Sequence, residues 1–368
     1  MEVYLIILAA IIILGVLMPQ RGPRRKNYII CMAVLHTFVC GFRYMHLTGD
    51  LKKYHYTFNL ISEYNWWSED VLHEGRNTGF YLLMKLVNHL SNANFQAFLF
   101  IIALFIEIIV AVMIYRYSPM PWFSYLVWNC MGFYVFGFSS IKQALAMAVI
   151  MCAMMCFFEQ KPKGFVIYVL LAGLIHLPAL AFLPAYWLAK CRVNLKTIMG
   201  YIFAGIAMFV LREPFVSFIS GLYYEEEEFE LYSKSLGGRF FLIVLLLLCG
   251  ILLKGFKDKQ FQALFNMLFV AALFQMLAGF DNVFTRWADY YLQFTVLYIP
   301  MLFYETQAET PQNISYMDAI LPFNRRSLQF FTVLVVIALI LFYYYTCIGV
   351  EITVTVDDYT NFRFMWEV

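Results

Sequence analysis

The sequence predicts an all-α protein: a polytopic integral-membrane helix bundle of about 12 transmembrane segments, with both termini on the outer side. Three observations carry this. Of the 368 residues, 62% are hydrophobic and 14% charged, where a soluble domain carries about 45–50% and about 25%. Such an apolar excess is more than one aqueous core can hide, so lipid must solvate much of the surface. Aromatic residues reach 19%, with 38 Phe and 26 Tyr, which suits lipid-facing surface and interfacial belts. Finally, apolar runs recur along the whole chain.

The first run, 3–18, is followed instead of preceded by its basic residues (Arg21, Arg24, Arg25, Lys26) and lacks a small-residue cleavage pattern. It reads as a retained first span, not a signal peptide. Further runs lie at about 28–42, 95–115, 122–138, 140–158, 164–176, 178–190, 197–211, 240–253, 260–278, 288–304 and 328–348. Several are near 15 residues, short of the roughly 20 that cross a 30 Å hydrocarbon core, and suit thinned bilayer or a water-filled vestibule.

Lys and Arg in the loops set the orientation. With the Arg21–Lys26 loop cytoplasmic, alternation places fifteen of the 26 basic residues on six short inner loops, among them Arg116, Lys161, Lys163, Lys190 and Arg192. The opposite side takes the long loops and most of the acids. This scheme requires 164–190 to turn back on itself near His176 and Pro178. The chain is read as one membrane domain, 1–368, with external segments 43–94, 212–239 and 279–289 and an external tail, 350–368. Within the first of these, 80–90 (FYLLMKLVNHL) is amphipathic and lies at the interface or dips into it; whether 79–91 and 164–190 span or re-enter stays open. The acidic run Glu225–Glu228 reads as a solvated face.

Composition excludes several functions. A net charge of +2, with no basic run interleaved with aromatics, gives no case for nucleic acid. The eight cysteines include no CxxC pair; they read as small buried hydrophobes, without a disulfide framework or zinc site. No P-loop, GxSxG, HExxH or Rossmann fingerprint occurs in a plausible context. No metal and no cofactor is implied.

The unusual polar residues gather on the outer side. Arg43 ends the second span, followed by Asp50, Tyr54 and Tyr56. Glu74 and Arg76 precede the amphipathic stretch. Ser139, Ser140, Lys142 and Gln143 open the fifth span, His176 lies at the outer turn, and Asp281, Arg286 and Asp289 flank the eleventh. Lys142 begins an otherwise apolar helix, at the unfavourable end of the macrodipole for a cation. With the amides there it would make an anion site; the alternative is a lysine that snorkels to the surface. His176, on an apolar face, is a base candidate or a satisfied core histidine. Glu107, amid a span, is functional by default or neutral and hydrogen-bonded. Arg286 and Asp289, spaced i,i+3, contact substrate or form a structural ion pair. Positioned cations with a carboxylate or histidine suit a polyanionic, hydroxyl-rich substrate approached from outside.

Taken in order, these features resemble the EpsG family, the Wzy-like polymerases of bacterial exopolysaccharide and capsule. The resemblance covers about residues 30–305. It rests on Gly41-Phe42-Arg43-Tyr44 with Gly49-Asp50 and Tyr54, then Glu74-Gly75, then Phe138-Ser139-Ser140-Ile141-Lys142-Gln143-Ala144-Leu145-Ala146. His176 with Pro178 and Ala179, and Arg286 with Tyr290 and Tyr291, complete it. The family pattern usually has Arg where this chain has Lys142; charge survives, but the bidentate fork to phosphate does not.

The resemblance implies a GT-C-like bundle in the bacterial cytoplasmic membrane, joining polyprenyl-pyrophosphate-linked oligosaccharide repeat units on its outer side. On that resemblance Arg43, Lys142 and Arg286 are expected to hold the pyrophosphate, His176 or Glu74 to be the base, and Asp50 and Gln143 to orient sugar hydroxyls, with Ser140, Asp289 and Tyr290 as further substrate-binding residues. The lipid bilayer would deliver the substrate, and a flippase and a chain-length regulator are expected partners. Two other readings remain: a membrane acyltransferase that decorates a glycan, and a lipid-linked-glycan flippase or transporter.

Overall fold

The computed structural model describes residues 2–46, 48–66, 68, 77–223, 236–254, 256–304, 334, 338–339 and 362–367. Glu74, Arg76, the Glu225–Glu228 run, most of the 328–348 run and residues 350–361 of the tail lie outside the described residues. Among the described residues the regular structure is helical, with one isolated antiparallel bridge, Arg43 to Phe364. The chain forms two compact units, residues 1–177 with 299–368, and residues 178–298.

The first unit is built on α1 (Glu2–Leu17), α2 (Arg25–Gly41), α3 (Gly49–Leu60), α4 (Thr78–Leu90), α5 (Phe95–Tyr117), α6 (Pro121–Cys130), α7 (Ile141–Phe158) and α8 (Pro162–Ile175). The caps follow from sequence. Thr48 accepts from Leu51 N at 3.2 Å to open α3, and Asn94 accepts from Ala97 N at 3.0 Å to open α5, each satisfying an orphan amide. Pro119 bars further helix after α5, and Pro121 and Pro162 begin α6 and α8, where the missing N–H costs nothing. Helix α5, 23 residues of nearly unbroken apolar sequence, is about 34 Å long and packs against α2, α4, α6 and α7, while α7 also packs along α8.

These helices give the unit two chemically different ends. At one, Arg25 donates to the Tyr115 carbonyl at 2.6 Å, and Glu159 accepts from Arg116 and from Lys161, both at 2.6 Å. At the other lie Arg43, Gln96, the start of α7 and His176. A buried polar knot ties α2 to α6 between them. Asn129 Nδ2 donates to His36 Nε2 at 2.9 Å, which leaves the proton on Nδ1 to reach the Met32 carbonyl at 2.8 Å. Tyr134 donates to the His36 carbonyl at 2.9 Å and so anchors the 3₁₀ turn Val135–Phe138 that leads into α7.

The second unit contains α9 (Leu195–Tyr223), α10 (Gly237–Cys249), α11 (Lys259–Gln275) and α12 (Asn282–Leu292). Helix α13 (Thr295–Phe303) straddles the unit boundary. α9 runs through Arg212 and Pro214 without a break, so the outer segment expected from residue 212 begins as helix. Asp258 and Asp281 cap α11 and α12 through the Gln260 and Val283 amides. Tyr291 donates to the Ala181 carbonyl at 2.6 Å, and Asn266 to those of Leu188 and Cys191, both at 2.9 Å.

Among the described residues, four helical stretches are long and apolar enough to cross a membrane: Phe95–Tyr117, Ile141–Phe158, Leu195–Phe218 and Gly237–Lys254. Shorter apolar helical stretches cover Val3–Leu17, Pro162–Ile175 and Leu177–Leu188. The most apolar window of Leu195–Phe218 has none of its residues buried in the protein, and Phe203, Ile206 and Val210 stand exposed. A helical stretch that presents this much apolar surface requires a non-aqueous solvent.

Candidate functional site

Arg43 follows α2 directly and is 1% exposed. Its guanidinium donates to the Cys40 carbonyl and to Cys40 Sγ at 3.3 Å, and lies 5.8 Å from the centre of the Phe138 ring. Nε has no hydrogen-bond partner, and no carboxylate of the described residues forms an ion pair with Arg43. A buried cation is costly unless it is paired, and among the described residues Arg43 has no carboxylate partner.

The Arg43 backbone is held from both sides. Gln96 Nε2 donates to the carbonyls of Gly41 at 2.7 Å and Arg43 at 3.0 Å. Residues 362–367 form a strap across the same turn: Tyr44 N donates to the Arg363 carbonyl at 2.8 Å, and Met365 N to that of Phe42 at 2.9 Å. Its side chains close the surroundings. Phe362 meets Tyr4 and Phe138, while Phe364 and Trp366 stack on each other at 4.6 Å and both meet Phe38.

Phe138 leads through Ser139 and Ser140 to Lys142. The Lys142 ammonium donates to the Tyr81 hydroxyl at 3.0 Å and lies 4.9 Å from the Tyr81 ring centre, 5.5 Å from Tyr54 and 5.6 Å from Phe80. Each such contact contributes about 0.5–2 kcal/mol, enough to offset the roughly 0.3–1 kcal/mol that a cation loses at a helix N-terminus. Lys142 is half-buried inside an aromatic cradle, so it does not simply snorkel to the surface. Ser140 is the residue before α7, and Gln143 is buried one position beyond Lys142. Asp50 is exposed one turn before Tyr54, on the same face of α3.

His176 ends α8 in an extended conformation, 8% exposed, its amide donating to the Ala172 carbonyl at 2.8 Å. The following amide, Leu177 N, donates to Asn77 Oδ1 at 3.2 Å, and Gly79 lies against Leu174 so closely that a Cβ would come within 3.0 Å. The first turn of α4 is therefore the shared neighbour of Lys142, through Phe80 and Tyr81, and of the His176 turn, through Asn77 and Gly79. Arg43, Ser140, Lys142, Gln143 and His176 lie at one end of the first unit. Glu74 lies outside the described residues.

Arg286, Asp289 and Tyr290 belong to α12 of the second unit. Arg286 is exposed, whereas Asp289 and Tyr290 are buried. Asp289 forms its ion pair with Arg239 of α10; the structural pairing to Arg286 weighed from the i,i+3 spacing is not the one that forms. Glu107 is 2% exposed and lines a cavity of about 10 Å³ with Cys40, Trp128, Gly137 and Ala144. Glu107 Oε2 and Trp128 Nε1 are both without a hydrogen-bond partner there, and the space is about that of one water.

Sequence reasoning missed Tyr81 and Phe80 as the lysine cradle, Arg239 as the partner of Asp289, and the strap. It also missed a histidine pair beside Arg43. His46 Nε2 and His55 Nδ1 are 2.7 Å apart, and His55 stacks on Phe95.

The fold and the site define a helical membrane protein that holds cations among aromatic rings at one end of a bundle. The family model described as the EpsG family matches residues 26–353, most of the chain, and the protein belongs to that family. The family is associated with polysaccharide biosynthesis. No curated protein and no solved structure matches the chain.

Proposed function

We propose that the protein is a glycosyltransferase that joins polyprenyl-pyrophosphate-linked oligosaccharide repeat units, working on the outer side of the bacterial cytoplasmic membrane. The observation that carries this reading is the pair of cations held among aromatic rings at one end of the first unit. Arg43 lies against Phe138 with an Nε that no described residue uses, and Lys142 sits in the Tyr54, Phe80 and Tyr81 cradle, which adds a tyrosine hydroxyl. In the reaction, the anomeric carbon of the growing glycan leaves the pyrophosphate oxygen and bonds to a hydroxyl of the next repeat unit. The departing pyrophosphate gains negative charge, and on this reading Lys142, Arg43 and the first amides of α7 receive it. The hydroxyl proton passes to a base; His176, beside the α4 turn shared with Lys142, takes that role, with Glu74 the other candidate. Asp50, Ser140 and Gln143 are the groups assigned to sugar hydroxyls.

The test is glycan length in a host making the cognate lipid-linked unit. Lys142→Ala and His176→Ala should each collapse a polymer ladder to single repeat units while the protein still reaches the membrane. An intact ladder in both variants would sink the assignment. Lipid-linked units trapped on the cytoplasmic side would instead make the protein a flippase.

A further inference from the structure

Helices α2 and α5 do not close fully against each other. Between them runs a groove of about 470 Å³ whose floor includes Ala33, Thr37 and Ala111, and whose walls include Phe42, Phe100 and Ile108. It extends twelve residues along each helix, from Ile30 to Phe42 and from Val112 to Phe100, which is about 18 Å. That is slightly more than one leaflet of a 30 Å hydrocarbon core.

Volume over length gives a cross-section of at least roughly 26 Å², enough for one extended hydrocarbon chain, and the length matches the part of such a chain that lies within one leaflet. Among its described lining residues only Thr37 is not apolar, which suits a hydrocarbon chain and not a water or sugar path. Its wall residues Ile30, Val34 and Ile108 are exposed on the flank of the unit, so it opens sideways to lipid.

One end of the groove is special. Phe42 lies there, the chain neighbour of Arg43, and the strap residues Phe364 and Trp366 rest on the Phe38 and Phe42 rings. An amphiphile lying in the groove would bring its polar end to the Arg43 end of the bundle. We infer that this groove is the docking site for the isoprenoid chain of the lipid-linked substrate, seated between α2 and α5 beneath the Phe364–Trp366 pair. The assignment rests on the polymerase reading.

The test uses full-length protein in nanodiscs of phosphatidylethanolamine and phosphatidylglycerol supplemented with a polyprenyl phosphate, with retained lipids counted by native mass spectrometry. The wild type should retain one polyprenyl phosphate. Ala33→Phe with Ala111→Phe, which fills the groove, should weaken retention about tenfold, as overpacking of a seat does. Ile101→Phe, an equal addition at an exposed α5 position outside the groove, should leave it unchanged. Should the double variant fail to fold, Ala33→Leu carries the same comparison. Equal retention by wild type and filled variants would overturn the inference, as would one-for-one displacement by phosphatidylglycerol. The two readings fail separately: polyprenyl phosphate retained by a wild type that builds no glycan ladder would remove the polymerase and leave the groove.

Discussion

At the scale of single residues, Lys142 carries the argument. Lys142→Met keeps the apolar stem and removes the charge, so we expect loss of the polymer ladder with unchanged protein level. Tyr81→Phe removes only the hydroxyl 3.0 Å from the ammonium. A hydrogen bond to a charged group contributes about 1.5–3 kcal/mol, so ladder synthesis should fall by about tenfold or more and still be measurable. The position of Lys142 was legible in sequence because it interrupts an apolar run; its cradle was not, since Tyr54 and Tyr81 are 88 and 61 residues away and nothing local links them. His55 offers a test by pH. Burial first, and then the neighbouring His46, hold its imidazole below the ordinary histidine value, which is about 6.5. The unfolded chain therefore binds the proton more readily than the native one, and stability present at neutral pH is lost as pH falls below about 6.5. Amide protection factors over α3, with the intrinsic pH dependence of exchange divided out, should fall between pH 7.5 and pH 5, and His55→Phe, which keeps the stack on Phe95, should abolish that dependence.

At the scale of elements, the contact of α4 with α8 is the joint that relates Lys142 to His176. Gly79→Val places carbon against the Leu174 backbone, where a first Cβ already comes within 3.0 Å of the carbonyl oxygen. The helices must part, at a cost of about 1–3 kcal/mol. The melting temperature in detergent should drop and the ladder with it, while Gly200→Ala, in open space, should change neither. The amphipathic pattern of 80–90 announced a helix, and the structure has one at α4, Thr78–Leu90. That pattern could not announce its partner, because the apolar spacing of a helix defines a face without naming what meets it. The same limit explains Asp289. An i,i+3 arginine is the nearest cation in sequence, but burial turns the carboxylate toward Arg239 on another helix.

For the molecule as a whole, composition was sufficient for the solvent. The Leu195–Phe218 helix, whose most apolar window has no buried residue, agrees with a chain that is 62% hydrophobic. The two-ended character of the first unit was also legible, because Lys and Arg cluster in loops that its antiparallel helices bring together. With Arg116 and Lys161 both on Glu159, an impermeant thiol reagent added to intact cells should label a cysteine placed at Glu226 and not one placed at Lys161. The reverse would invert the topology. The strap was not legible, since a few aromatic residues at the end of a chain carry no period. Deleting 362–368 should raise the modification of buried Cys40 by a small membrane-permeant maleimide, read from its peptide by mass spectrometry. An unchanged rate would mean that the strap does not seal this end.

The strap also imposes an order of manufacture. Phe362 is made roughly 320 residues after Arg43, which at about 5–20 residues per second is some 15–60 s of synthesis. During that interval α2 is already in the membrane while the ring that will close over Phe138 has not left the ribosome. Arg43 therefore meets the nascent bilayer surface unsealed, and this end of the bundle is finished only after Phe362 and its neighbours have emerged.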